Sequence, residues 1–493
     1  MTQDLQSDGA QGAPWRVIAA IAAFGVAVRA VLLLWASPLE IQSDESNYLY
    51  LAAALQHFGV YLDQQRYLWP PAYPWLLGEA IGAFGADGLQ VVRWMQVAAS
   101  SVIGVMTMLF AWRLISRRAA AVAGILWVIH LPLGAYTHLL WSEPLFLALL
   151  LPALWHLLRA LDVADGELQG SVTRRLLASG VLFGLALYVK EWPLFLLPLV
   201  SVVVLVRSLR VGVADAVARA TLVPLVALVV TMPWTLRNHE VYGRVVVAGA
   251  TLGENAHVGL NARYMNFDLN ALRKVRLSRG LDSLETRSRR AFVAAPAAEP
   301  GSGGSGPGWT RRDDIVHPID RQKAHVAAGI EYALDHPGWA VRTRVKKLSD
   351  VVTPMSFFTR TYAMDRYPPD SPLSGGVRAP LVLYALSFSA LLMLLAAAGY
   401  FFTLPGGSGR DIVTVTIAYV LATALLVAMS RFRAPIEPFL IVLAAGFLAH
   451  GPATRSVPRA VGMAITVLAL AGLWWVSLPE TVEVARMAMG GGS

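Results

Sequence analysis

The sequence predicts an all-α, polytopic membrane protein, and three observations carry that prediction. Charged residues are 15% of a 493-residue chain and hydrophobic residues 56%, against about a quarter charged in average soluble proteins. Eleven apolar runs approach the ~20 residues that a spanning helix requires. Arginine-rich short loops alternate along the chain with acidic and aromatic ones, as a fixed orientation in a bilayer demands.

The runs lie at 15–37, 91–114, 118–136, 141–161, 173–189, 193–208, 213–235, 378–403, 411–430, 434–451 and 458–478. Met1 to Pro14 is polar, and no small-residue cleavage site follows a short apolar core, so the first run is expected to be a signal-anchor. Lys190-Glu191-Trp192-Pro193 divides two of the shorter runs. Arg113, Arg117, Arg118, Arg174, Arg175, Arg207, Arg210, Arg410, Arg455 and Arg459 all fall in the cytoplasm on one condition. The stretch 71–86, which opens on a proline, must lie along the outer interface instead of crossing. The bundle then has about eleven spans (eleven to thirteen allowed), with the N-terminus inside and the C-terminus outside.

This reading divides the chain into a cytoplasmic tail (1–14), an N-terminal membrane module (15–236) that contains a first outer loop (38–90), an outer-face subdomain (237–376), a second set of spans (377–478) and a tail (479–493). Within the subdomain, 291–308 is rich in Ala, Pro, Gly and Ser and reads as a linker. Leu269 to Arg290 is basic, and Ile330, Leu334, Val341, Val345 and Leu348 recur at helical spacing. There is no cysteine, which excludes disulfides and thiolate-bound metals. The net charge of +9 suits anionic lipid or phosphate-bearing substrates and does not require nucleic acid.

The chemistry concentrates on the predicted outer face. Asp44 and Glu45 follow the first span, where a buried carboxylate is costly and therefore a functional candidate. Asp63, Glu143, Glu191 and Glu254 share that side with Arg66, Lys190, Arg237, Arg244, Arg263, Arg360, Arg431 and Arg433. A carboxylate can deprotonate an alcohol or amine acceptor, and cations can hold a phosphate leaving group. Lys190, Arg237, Arg431 and Arg433 are the candidates for a donor phosphate. Lys190 has a second reading as a partner of Glu191 or a snorkelling side chain, and the arginines have one as lipid contacts. Glu143 is a second functional carboxylate or simply the first residue of a helix capped by Ser142 and opened by Pro144. Tyr48, Tyr67, Trp69 and Tyr73 can stack on a sugar or form an interfacial belt.

Several motifs carry a resemblance. They are Ser43-Asp44-Glu45-Ser46-Asn47-Tyr48 running into Ala52-Ala53-Ala54-Leu55, Tyr67-Leu68-Trp69-Pro70-Pro71-Ala72-Tyr73-Pro74, and Trp141-Ser142-Glu143-Pro144. Pro233-Trp234-Thr235-Leu236-Arg237-Asn238, Gly253-Glu254-Asn255, His336-Pro337-Gly338-Trp339 and Arg431-Phe432-Arg433-Ala434-Pro435 continue the series. In this order they resemble the GT-C superfamily of polyprenyl-phosphate-sugar glycosyltransferases. The nearest branch contains protein O-mannosyltransferases and the lipid A aminoarabinose transferase. The resemblance implies a GT-C-like bundle with horizontal helices in the first outer loop. It implies transfer of one sugar, with inversion, from a polyprenyl-phosphate donor to a lipid, glycan or protein acceptor at the outer face of a bacterial cytoplasmic (inner) membrane. Asp44 would be the general base, with Glu45 the competing residue. Trp69 stands where the family often has His before Pro-Pro. The absence of a β-rich domain after the last span argues against transfer of a whole glycan to Asn.

The histidines form no metal-ligand spacing. His138 near Glu143 leaves a divalent metal open without supporting it, and no cofactor is firmly implied. A lipid-linked-sugar transporter would explain the spans and outer cations, but predicts repeated halves that the sequence lacks. A non-catalytic scaffold predicts that Asp44→Asn is harmless.

Overall fold

The computed structural model describes residues 12–35, 41, 44–58, 61, 69–162, 169–251, 326–327, 330–363, 375–426, 429–452 and 456–489. Among them there is no strand. The helices are α1 (Trp15–Trp35), α2 (Asp44–Phe58), α3 (Ala72–Phe84), α4 (Gly88–Leu114), α5 (Arg117–Ile129), α6 (Leu131–Ala135), α7 (Glu143–Leu161) and α8 (Gln169–Val189). They continue as α9 (Pro193–Ser208), α10 (Val213–Tyr242), α11 (Pro337–Val352), α12 (Phe357–Ala363), α13 (Arg378–Phe402), α14 (Ser408–Ala424), α15 (Glu437–His450) and α16 (Val457–Ala488). Each of the eleven apolar runs is largely helical, and the chain is a multi-pass membrane protein.

Eight helical stretches among the described residues are long and apolar enough to cross a membrane, with Ala72–Leu114 counted as one. The three expected spans that fall short are α5, α14 and α15, with 13, 17 and 14 residues. The run 118–136 breaks because His130 turns its ring back on the chain. Its Nδ1 accepts the Leu133 N–H at 3.0 Å and caps α6, which Pro132 opens. α15 is apolar on every side, as a central helix must be; Phe439, Ile441, Val442 and Leu443 are buried. Its backbone meets α13 so closely that a Cβ on Gly399 would lie 1.9 Å from the Leu443 carbonyl oxygen.

α3 has 13 residues, hence a length of about 20 Å, too short to cross a hydrocarbon core of about 30 Å. It lies on α2 and joins α4 through a 3-10 turn at Gly85–Asp87. At that joint a Cβ on Gly88 would come 2.4 Å from the Ala80 carbonyl oxygen. Tyr48, Leu49 and Ala52 of α2 pack on Tyr73, Leu77 and Ala80 of α3, with Val92 and Leu140 closing the cluster. This holds the first turn of α2 beside the segment that precedes α7.

Of residues 237–376 the structure describes 237–251, 326–327, 330–363 and 375–376. α11 packs on α16 and on the Ser430–Arg433 turn, and α12 packs on α13 and α16. Lys346 bonds both Asp350 and Glu480, at 2.5 and 2.8 Å, tying α11 to α16. Leu269 to Arg290 and the linker 291–308 lie outside the described residues.

Candidate active site

Asp44 and Glu45 occupy the first turn of α2, where the exposed N–H groups of the helix favour negative charge. Adjacent helical residues point about 100° apart, and the two carboxylates part accordingly. Asp44 Oδ2 meets Arg431 Nη1 at 2.5 Å, the two side chains being 13% and 12% exposed. Glu45 Oε1 accepts the Leu140 backbone N–H at 2.8 Å and pins the segment before α7.

One turn further along α2, Tyr48 is buried, with its ring 5.0 Å from Trp69 and 4.9 Å from Tyr73. Its hydroxyl lies 3.1 Å from Ser142 Oγ. Burial, then Asp44 and Glu143, push the Tyr48 pKa up, so the phenol stays protonated. Tyr73 donates to Gln96 Oε1 at 2.5 Å, and Gln96 Nε2 reaches the carbonyls of Tyr136, Thr137 and Leu139. These aromatics thus form a fixed floor and not an interfacial belt. Trp75, more than half exposed, points away from it. Tyr67 lies outside the described residues, as do Asp63, Arg66, Glu254 and Arg263.

Glu143 begins α7, but Ser142 makes no side-chain cap; its hydroxyl serves Tyr48 instead. The buried Glu143 carboxylate meets Lys190 Nζ at 2.9 Å. Lys190 therefore does not pair with its neighbour Glu191. Glu191 accepts the Thr251 N–H at 3.1 Å and the Thr251 hydroxyl. Thr251 belongs to a strap laid back along α10, where Asn238, Thr235 and Trp234 donate to the carbonyls of Val246, Val247 and Ala248.

The three candidate arginines separate. Arg431 alone joins Asp44; its guanidinium also lies 4.9 Å from the Trp141 ring and 5.4 Å from Phe432. Burial opposes its charge, yet Asp44, then Glu143 and Tyr48, outweigh burial and raise its pKa. Arg433 is committed elsewhere. Its Nε bonds Glu437 at 3.0 Å and its Nη1 reaches the carbonyls of Val351, Thr353 and Met355, clamping the turn between α11 and α12. Arg237 sits over Trp234 and Tyr61 at 4.8 and 5.6 Å and donates to the Tyr61 carbonyl.

Sequence reasoning named Trp141 only as the head of the Trp141–Pro144 motif, with no role of its own, and passed over Gln96 and Arg29. A polar side chain inside an apolar run was the available signal for the last two. Arg29 of α1 is buried over the Trp127 ring and bonds Ser100 and the carbonyls of Gly25 and Trp127. For a metal, no group of three or more His, Asp or Glu side chains comes together among the described residues. His138 is buried, and burial followed by Arg93 and Arg29 takes its pKa down to about 4, leaving it neutral.

Residues 69–236 match the profile of a family described as dolichyl-phosphate-mannose-protein mannosyltransferase. The chain thus resembles the GT-C glycosyltransferases through more than its short motifs. No curated protein matches it. Among solved structures, the Archaeoglobus fulgidus oligosaccharyltransferase tethered with an acceptor peptide aligns over 96% of this chain and 55% of its own, at 13% identity and a TM-score of 0.49. ArnT from Cupriavidus metallidurans bound to undecaprenyl phosphate aligns over 89% and 78%, at 15% identity and a TM-score of 0.37. The chain spans just over half the length of the archaeal enzyme.

Proposed function

We propose that the protein is a membrane glycosyltransferase that moves one sugar from a polyprenyl-phosphate donor to a lipid, glycan or protein acceptor at the outer face of a bacterial cytoplasmic membrane. The observation that carries this reading is the Asp44–Arg431 pair, a carboxylate and a cation held together above an aromatic floor. The matched family profile, whose description names a polyprenyl-phosphate sugar, supports the donor class.

In this reaction Asp44 takes the proton of the acceptor hydroxyl or amine as that atom attacks the anomeric carbon. The bond from that carbon to the phosphate oxygen breaks, its electron pair leaves with polyprenyl phosphate, and the configuration inverts. Arg431 neutralises the phosphate as its charge grows. Glu143, held by Lys190, orients a sugar hydroxyl, and Tyr48, Trp69 and Tyr73 back the ring.

The test is sugar transfer in reconstituted membranes with a panel of radiolabelled polyprenyl-phosphate sugars, comparing wild type with Asp44→Asn. Transfer by wild type and its loss in a folded mutant are expected. Movement of the donor across the bilayer without transfer to any acceptor would replace the enzyme with a transporter.

A further inference from the structure

Lys347 of α11 is 8% exposed, yet among the described residues its ammonium makes no hydrogen bond or ion pair. The neighbouring carboxylates are committed. Asp350 bonds Lys346, and Glu480 meets Lys346 and Arg360 at 2.8 and 3.7 Å. Burial lowers the Lys347 pKa, Asp350 opposes this only in part, and Arg344 and Lys346 add to the fall. A cation taken out of water without a counter-charge is strongly unfavourable. A lysine kept in this state points to an anion that supplies one.

Its place in the fold says where that anion comes from. Val351, one turn along the same face of α11, packs on Val420 and Ala424 of α14 and on Ile436, with Trp192 and Leu348 against them. α9 begins just after Trp192 and α14 ends at Ala424, so this seam lies where apolar helices give way to polar chain. The turn after α14 carries Arg431, which puts the seam at the Asp44 end of the bundle. Lipid headgroups lie at that level. The indole N–H of Trp192 is also buried without an acceptor. An ammonium and a neutral N–H suit a phosphate, which presents charge and several acceptor oxygens together.

We propose that Lys347 seats the phosphate of an anionic phospholipid headgroup in the seam between α11 and the ends of α9 and α14. A free phosphate offers the same oxyanion, so the two sources are compared below. The Asp44–Arg431 pair and sugar transfer play no part in this binding. An occupied seat ties α11 to the bilayer and stabilises the folded chain by mass action.

Thermal unfolding of the full chain in a maltoside detergent, in phosphate-free buffer, reads occupancy as a shift in midpoint. Phosphatidylglycerol is expected to raise the wild-type midpoint by about 2 °C or more. Lys347→Met is expected to match or exceed wild type without lipid, because it removes the unpaired charge, and to lose the shift. Lys347→Arg should keep the shift, since a guanidinium also binds phosphate. Arg342→Met, which removes an exposed cation of the same helix, should keep it too. No shift in wild type would overturn the seat. A shift that survives in Lys347→Met, or that is lost equally in Arg342→Met, would replace it with diffuse attraction. A second reading needs no variant. Acetylation of Lys347 by an N-hydroxysuccinimide ester, followed by peptide mass spectrometry, is expected to slow at least about fivefold at saturating phosphatidylglycerol. Equal slowing by inorganic phosphate alone would keep the seat and make free phosphate its occupant. Labelling unchanged by either would overturn it.

Discussion

Lys190 reaches from the break between α8 and α9 to the buried carboxylate of Glu143, Nζ to Oε1 at 2.9 Å, across 47 positions of sequence. The pair locks the start of α7 to the C-terminal end of α8. Its Lys is 21% exposed and its Glu 5%, so removing the cation strands a carboxylate in a dry place. Lys190→Met is expected to cost on the order of 3 kcal/mol, with Lys190→Met/Glu143→Gln recovering most of it. A double-mutant cycle by unfolding in detergent measures this; strictly additive costs would show that the pair contributes nothing.

The two carboxylates of α2 are expected to differ sharply in function. Glu45→Gln keeps an oxygen for the Leu140 N–H, and its transfer rate should stay within about fivefold of wild type. Asp44→Asn removes the proposed base, and the rate should fall at least about a hundredfold. Rates in reconstituted membranes decide it, and the reverse ranking would move the base to Glu45.

Gln96 is expected to matter more to stability than its single polar position in α4 suggests. It accepts from Tyr73 and donates toward three carbonyls of the segment after α6. Tyr73→Phe should cost about 1 kcal/mol, and Gln96→Leu, which leaves buried groups unsatisfied, about 2–3 kcal/mol. Equal costs in detergent unfolding would contradict the network.

The strap that carries Thr251 is expected to respond to pH through Glu191. Burial raises the Glu191 pKa, and the bonds from Thr251 only partly oppose it. A carboxyl with a raised folded pKa stabilises the folded form below its unfolded pKa and loses that contribution as pH rises through the folded value. Residues 246–251 should therefore exchange amide hydrogens more slowly as pH falls from neutral, after correction for intrinsic rates. Glu191→Gln should remove the dependence, and a slope that survives this substitution would assign it to another group.

Much of this architecture is legible in the sequence because length and apolarity suffice to mark helices. Asp44, Tyr48, Glu143, Lys190 and Arg431 stand out for the same reason, as polar groups at the ends of apolar runs. Their partners do not. Lys190 is adjacent to Glu191 in sequence, but the chain turns sharply between α8 and α9, and the two side chains leave in different directions. Arg431 and Arg433 are two residues apart in a tight turn, so one faces Asp44 while the other clamps the approach to α12. Ser142 reads as a cap until Tyr48 claims its hydroxyl. Such choices depend on which helices pack together, which a one-dimensional pattern does not encode.

The joint at Gly88 bears on all of this from a distance. The Ala80 carbonyl occupies the place where a side chain would begin, so the bend between α3 and α4 closes to an angle that only a hydrogen atom permits. A methyl group there would pry α3 upward about its own end. The first residues to shift would be Tyr73 and the rings stacked against it, although none of them had been altered. The tilt of the aromatic floor is thus set by a residue that lies outside it.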